Sequence, residues 1–252
     1  MPDFILNSDD NVYNPAEDSY LLADNLEFSE GQSVLEIGTG SGIVAMYASR
    51  LTDKITVTDI NFDACELARR NFRDNSIEGI EILFGNLFEP VKERKFDVIL
   101  FNTPYLPTED DEVIDDTINY AFDGGVNGRK VIDLFLNEVG NHLNDGGIVQ
   151  LIQSSLSGNE ETLKMLDELG FIAEIKEKEH FFFEDITLIN AYKIYGDNKM
   201  EEWKKSVFIG VILIILAIAF AIARKEVNIW IILIIILAVV DIIFGLMRKK
   251  MS

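Results

Sequence analysis

The tetrapeptide Asn102-Thr103-Pro104-Tyr105 closes the apolar run Phe96 to Asn102 and sets a strong side-chain acceptor, a stiff turn and a flat aromatic surface side by side. Those types suit a reaction at a planar nitrogen. The lone pair of an amide or aromatic amine is delocalised, so attack on an electrophilic methyl carbon requires its two N–H groups to be held while the lone pair turns towards that carbon. The Asn102 side-chain oxygen and the main-chain carbonyl of Thr103 can accept those two hydrogen bonds, and Tyr105 can lie against the planar group. A Pro-containing turn after a strand would present the same residues without any chemistry, so the tetrapeptide gains weight from what accompanies it.

A second group of residues suits a bound cofactor. The segment VLEIGTGSG (34–42) ends an apolar run, places three glycines in a turn and runs into a helical pattern near Ile43. Glycines such as Gly38 and Gly40 take positive φ and let backbone approach a ligand closely. Dinucleotide enzymes use a similar turn, but the spacing here departs from G-x-G-x-x-G. Glu36 lies just before the first glycine, where a carboxylate would repel a pyrophosphate and could hold the ammonium of a methionine; this points to S-adenosylmethionine rather than NAD. Asp59, 21 residues after Gly38, ends the next run in VTDIN and suits acceptance from two ribose hydroxyls. Its competing role is the N-cap of the helix that follows, for which Asn61 is an equal candidate. After the third run, Asn86 and Leu87 fall where an adenine would be read, although a turn-forming Asn explains Asn86 nearly as well.

These residues need a scaffold that brings strand ends together. Apolar runs at 34–37, 55–60, 80–85, 96–102 and 147–152 alternate with helical spacing at 45–51, 62–74, 129–143 and 160–169. That alternation predicts an α/β fold, a parallel sheet with helices on both faces, and residues 173–193 read as a closing antiparallel pair of strands. In such a sheet ligands gather outside the carboxyl ends of strands, so the Gly turn and the tetrapeptide face one pocket.

Charge and cysteine content narrow the partners. Of 22 Lys and Arg and 43 Asp and Glu, eight basic and four acidic residues lie in 199–252, which leaves a formal −25 on residues 1–198. Such a surface counts against a free nucleic acid and fits a basic protein better. One cysteine excludes an intramolecular disulfide, and with only two histidines no spacing resembles a metal site. The start MPDFILNSDD lacks the basic region and apolar run of a cleaved signal peptide.

The last fifty residues differ from the rest. We read residues 1–195 as one domain, 196–205 as a polar linker, and 206–250 as a hairpin of two apolar helices, 207–223 and 229–247. As helices these runs would reach roughly 25 and 28 Å, at the short end of a hydrocarbon core about 30 Å thick. Asp241 would oppose insertion by roughly 2.5–3.5 kcal/mol, against roughly −4 to −8 kcal/mol from the apolar residues of the same run. Basic residues before and after the hairpin, Lys204 and Lys205, then Arg248 to Lys250, place both ends in the cytoplasm by the positive-inside rule. The expectation is a two-span membrane protein whose large domain faces the cytoplasm.

Taken together, the chain resembles the HemK/PrmC protein-glutamine methyltransferases, whose signature is Asn-Pro-Pro-Tyr at the position of 102–105. YNPAEDSYLLADNL (13–26) is similar to the archaeal and eukaryotic release-factor branch of that family, and FDGGVNGRKVIDLF (122–135) resembles its Gly-Gly-x-Asn/Asp-Gly segment. The resemblance covers about residues 12–193 and implies a class I methyltransferase fold, Rossmann-like with seven strands, mostly parallel with an antiparallel last strand. It implies methylation of the glutamine side-chain nitrogen in the Gly-Gly-Gln motif of a translation release factor, with S-adenosylmethionine as donor and a small zinc-binding activator subunit as partner. By the same resemblance Ser19, Glu36, Gly38, Asp59, Asn86, Leu87 and Asn102 contact the cofactor, and Asn102 to Tyr105 hold the amide. Thr103 stands where the family has its first Pro, which loosens the loop, and Asn86 stands where it has Asp. Two other readings compete: an N6-adenine or rRNA methyltransferase, since the tetrapeptide serves any planar amine, and a membrane-anchored cofactor-binding protein without catalysis.

Overall fold

The apolar runs form a sheet whose central strands are covered on both faces, which is why they carry almost no polar alternation. In this computed structural model, which describes residues 4–107, 123–181 and 183–194 with isolated positions between 207 and 243, the strands are β1 (Val34–Ile37), β2 (Ile55–Asp59), β3 (Glu81–Phe84), β4 (Phe96–Asn102), β5 (Leu143–Ser154), β6 (Phe171–Phe181) and β7 (Glu184–Lys193). They make one seven-stranded sheet in the order β3-β2-β1-β4-β5-β7-β6. β1 to β5 run parallel, and β7 is antiparallel to both of its neighbours.

Side-chain alternation divides the core into two layers. Val98 and Leu100 of β4 pack on one face with Leu22, Met46 and Phe72 of α1 (Glu17–Asp24), α2 (Ile43–Ala48) and α3 (Phe62–Asp74). Ile99 and Phe101 pack on the other face with Phe135, Leu136 and Leu166 of α4 (Lys130–His142) and α5 (Asn159–Glu168). The edge strand β6 is studded with Lys176, Lys178, Glu174, Glu177 and Glu179, charges that discourage edge-to-edge pairing with another chain.

The chain builds the sheet outwards through β1, β2 and β3, then returns to place β4 on the opposite side of β1. This is the switch point at which neighbouring strand ends diverge and leave a crevice. The register sets Ile37 opposite Phe101 and Asn102 opposite Ile152, so Gly38 and Asn102 leave adjacent strands at the same height. Two elements differ from the sequence expectation. α1 is an additional helix, and β5 starts at Leu143 rather than Gly147, where a Cβ on Gly147 would stand 2.7 Å from the Asp97 carbonyl and only glycine permits the approach.

The chain divides into two compact units, Met1–Tyr195 and Gly196–Ser252. The expected linker lies outside the described residues, and so do most of the two apolar runs. Among the described residues no helix is long and apolar enough to cross a membrane. The continuous helices α3 and α4 have 13 residues each, about 20 Å against the roughly 30 Å of a hydrocarbon core. The expectation of a two-span membrane protein with a cytoplasm-facing domain is corrected accordingly.

All seven strands and both core layers lie within the first unit. A fragment of residues 1–198 is therefore expected to unfold cooperatively on its own, as measured by thermal melting. Aggregation that only residues 199–252 could cure would show that the second unit completes the fold.

Candidate active site

At the switch point the sheet opens into a cavity of about 540 Å³, and all eleven positions singled out from the sequence line it: Ser19, Glu36, Gly38, Gly40, Asp59, Asn86, Leu87 and Asn102 to Tyr105. One wall is the turn after β1. Gly38, Gly40 and Gly42 have φ of 66°, 53° and 83°, and Gly42 cannot be replaced without pushing a Cβ to 2.6 Å from the Phe72 ring. The turn is held by the two carboxylates flagged above. Thr39 Oγ1 donates to Glu36 Oε2 at 2.9 Å, and the Gly40 N–H donates to Asp59 Oδ2 at 2.9 Å.

Asp59 also accepts from the Asn61 N–H through Oδ1 at 2.8 Å, while the Asn61 side chain accepts from the Asp63 N–H as the N-cap of α3. The capping role thus falls to Asn61, and Asp59 remains turned to the cavity wall. Leu87 has φ of 42°, a left-handed conformation that is uncommon for a non-glycine residue, and follows Gly85, where a Cβ would strike Pro90 at 2.6 Å. The backbone at 85–87 is forced into a tight bend on the cavity side.

Burial shapes the electrostatics. Burial raises the Glu36 carboxyl to about 8; the Thr39 hydroxyl opposes this, the neighbouring Asp59 charge adds to it, and the Ala45 N–H opposes it. Asp59 is raised as well by burial, against the hydrogen bonds of Gly40, Asn61 and Ile60.

The second wall is the loop after β4. Asn102 Nδ2 donates to Asp18 Oδ2 at 3.0 Å, and Tyr105 Oη donates to the same oxygen at 3.1 Å. Among the described residues only Asn102 Oδ1 and Arg129 Nε are buried side-chain polar atoms without a hydrogen-bond partner. Arg129 Nε still faces Glu161 at 3.5 Å, whereas Asn102 Oδ1 is left with nothing. The Tyr105 carbonyl is tied to Ser157 Oγ at 2.8 Å, and Gly128 packs so closely behind it that a Cβ there would lie 2.4 Å from the Tyr105 oxygen. Gly124 is as tightly placed, since a Cβ there would lie 2.6 Å from Gly128 Cα, and Gly125 is required by its φ of 70°. Burial, then the Asp18 charge, pushes the Tyr105 phenol far above its ordinary value, so it stays a neutral donor.

Thr103 departs from expectation. Its hydroxyl donates to the Ile152 carbonyl at 2.8 Å and its N–H lies 3.3 Å from the same oxygen, so the loop is anchored to β5 rather than loosened. Asp18, Tyr13 and Glu184, which spacing along the chain does not single out, and Asn61, which it marks only as a cap, also line the cavity. The signal for Asp18 is present in the segment 13–26, where an acidic pair sits at the start of a short helix.

The whole arrangement can bind a ligand that brings a cation to Glu36 and hydroxyls to Asp59, and can present an acceptor oxygen to an N–H group. Comparison with known proteins agrees with that chemistry. The family described as methyltransferase small domain matches residues 8–183. A candidate protein N5-glutamine methyltransferase of Methanocaldococcus jannaschii is 47% identical over 73% of this chain and 92% of its own length. Human methyltransferase HEMK2 is 33% identical over 63% of this chain and 79% of its own. Among solved structures, the E. cuniculi Mtq2–Trm112 complex, described as responsible for methylation of the translation termination factor eRF1, aligns with a TM-score of 0.57 at 27% identity over 73% of this chain and 99% of that one.

Two outcomes follow from the geometry. Because the folded state keeps a proton on Glu36 that an unfolded chain releases near its ordinary 4.5, ligand-free stability falls as pH rises from there to about 8. Glu36→Gln should flatten that slope in thermal melts and raise the melting temperature most at pH values near 8; an unchanged slope would remove Glu36 as its source. Thr103→Pro, which forfeits both bonds to Ile152, should lower stability by about 1–3 kcal/mol in denaturant titration.

Proposed function

Since the chain belongs to the methyltransferase small-domain family and, within it, to the HemK/PrmC-type protein N5-glutamine methyltransferases, we propose that it transfers the methyl group of S-adenosylmethionine to the side-chain amide of the glutamine in the Gly-Gly-Gln motif of a translation release factor. The observation that carries this reading is that Asn102 to Tyr105 line the same cavity as Glu36, Gly38 and Asp59, with Asn102 Nδ2 committed to Asp18 and its buried Oδ1 unpartnered. A buried acceptor left unpaired costs roughly 1–3 kcal/mol, a cost that an incoming N–H removes.

S-adenosylmethionine supplies an electrophilic methyl on a sulfonium. Everything else is positioning. Glu36 holds the ammonium, and Asp59, braced by two backbone N–H groups, offers its remaining lone pairs to the ribose hydroxyls. Ser19, Gly38 and Gly40 line the methionine side, and the bend at Asn86 and Leu87 receives the adenine. On the acceptor side, Asn102 Oδ1 takes one amide N–H and the Thr103 carbonyl takes the other, while Pro104 keeps the turn stiff and Tyr105 lies against the amide plane. Held so, the nitrogen would turn its lone pair to the methyl carbon; the C–N bond would form as the methyl–sulfonium bond breaks and one of the two N–H protons would pass to solvent, so what these residues supply is orientation. The acidic surface suits a basic protein substrate better than RNA. A second chain accompanies the E. cuniculi protein, and a small activator subunit is part of this proposal.

Incubation with labelled S-adenosylmethionine and intact release factor, followed by mass mapping, should place one methyl on the Gly-Gly-Gln glutamine; label found on RNA instead would sink the reading. Asn102→Ala should lower turnover about 10²–10³-fold at saturating cofactor. Asp59→Ala should weaken cofactor binding with cooperative unfolding retained, each lost charged hydrogen bond being worth about 1.5–3 kcal/mol in calorimetry.

A further inference from the structure

Asp18 touches neither group in the reaction just described, yet its buried carboxylate gathers five hydrogen bonds. Oδ1 accepts from Tyr13 Oη, Ser19 N and Ser19 Oγ at 3.0, 2.7 and 3.3 Å, and Oδ2 accepts from Asn102 Nδ2 and Tyr105 Oη at 3.0 and 3.1 Å. The bonds to Ser19 would be enough to settle the first turn of α1. Those to Asn102 and Tyr105 reach 84 and 87 residues along the chain and end on the two side chains that must face the acceptor.

An asparagine amide has two ends of nearly equal shape and opposite chemistry, and its hydrogen-bond network decides which faces where. A carboxylate only accepts, so Asn102 must turn its NH2 to Asp18. The planar amide then aims Oδ1 the other way, and that oxygen is the unpartnered one. With the opposite orientation the cavity would present a donor, which an amide N–H cannot use.

We propose that Asp18 is a positioning residue for methyl transfer: it fixes the Asn102 amide with its oxygen towards the acceptor and pins the Tyr105 ring beside it. The inference rests on the amide-methylation reading above. A role confined to tying α1 to β4 would leave turnover indifferent to the orientation of Asn102, and the two roles separate on that point.

The test compares three full-length variants with the parental protein on release factor, with cofactor dissociation constants measured alongside. In Asp18→Asn, the three donors at Oδ1 keep the remaining oxygen on their side, so the introduced NH2 faces Asn102 and inverts its amide. Its kcat should fall about 10²-fold while cofactor affinity stays within about threefold. The double variant Asp18→Asn with Asn102→Asp restores an oxygen towards the acceptor, since the carboxylate introduced at position 102 accepts from the NH2 introduced at position 18. It should recover at least about tenfold of the lost kcat. Asn102→Asp alone sets two carboxylates face to face, which share a proton, so its turnover should drop as pH rises through the loss of that proton. Asp18→Asn as fast as the parental protein, or a double variant that binds cofactor yet is no faster than Asp18→Asn, would overturn the role. Should Asp18→Asn fail to fold, a pH profile of Asn102→Asp parallel to the parental one would overturn it equally. Absence of transfer by the parental protein would instead defeat the reading on which the inference stands.

Discussion

Three carboxylates, Asp18, Glu36 and Asp59, are buried around one cavity, and the rest of the site is arranged to make that burial tolerable. Like charges gathered away from water raise one another's energy, so each must be met by donors, by a proton or by a ligand. Asp18 is met by five donors and can stay fixed. Asp59 takes backbone N–H groups from the two turns that flank it. Glu36 has the Thr39 hydroxyl and the Ala45 N–H and otherwise keeps a proton. That last solution is easily undone when a cation arrives, which makes Glu36 the point where ligand charge and protein protonation exchange.

The donor that reaches Asp18 from the N-terminal side is delivered by asparagines within α3 and at its two ends. Asn75 exchanges two hydrogen bonds with the backbone of Ile5, at 2.8 and 2.7 Å, much as a neighbouring strand would. Asn71, fully buried, accepts from the Asn7 N–H and donates to the Ser41 carbonyl, both at 2.8 Å. Asn61 donates to the Asn11 carbonyl at 2.8 Å. Residues 5–11 are thereby laid along α3, and Tyr13 follows at the cavity mouth with its hydroxyl on Asp18. Since Asn71 grips both this segment and the glycine turn, loss of either partner would leave a buried amide unpaired. Order in the N-terminal segment and order in the turn are therefore coupled through one side chain.

The limits of β1 and β4 can be read from sequence because both are continuous apolar runs with a polar or glycine stop, and α3 because its apolar positions recur at helical spacing. The same reasoning misses α1, which has eight residues, no side-chain cap and apolar residues packed into one turn, too short for a period to show. Asp18 escapes for a related reason. Its partners lie on a helix start, a distant strand end and the N-terminal segment, and nothing in spacing along the chain announces that they meet. The Thr103 expectation fails because stiffness alone separates a proline from a threonine in sequence, when the hydroxyl supplies a tertiary bond that proline lacks. The membrane expectation rests on hydropathy, which states a segment's preference for an apolar medium, and among the described residues no helix is long and apolar enough to cross a membrane.

Selection of an amide over its acid follows from the direction of the acceptors. In the proposed reaction a glutamine would present two N–H donors to Asn102 Oδ1 and the Thr103 carbonyl, whereas a glutamate would bring lone pairs against a buried oxygen that has no other partner. A site built to accept from an N–H rejects an analogue without it far more strongly than an apolar pocket rejects a change of size, by about 10⁴–10⁵ in favourable cases. The nearby carboxylate of Asp18 sharpens the contrast, because a second negative charge would enter a space already occupied by one. Chemistry and selectivity thus share a single cause: Asp18 determines that the end of β4 offers oxygen, and an oxygen there admits a nitrogen that still carries its protons.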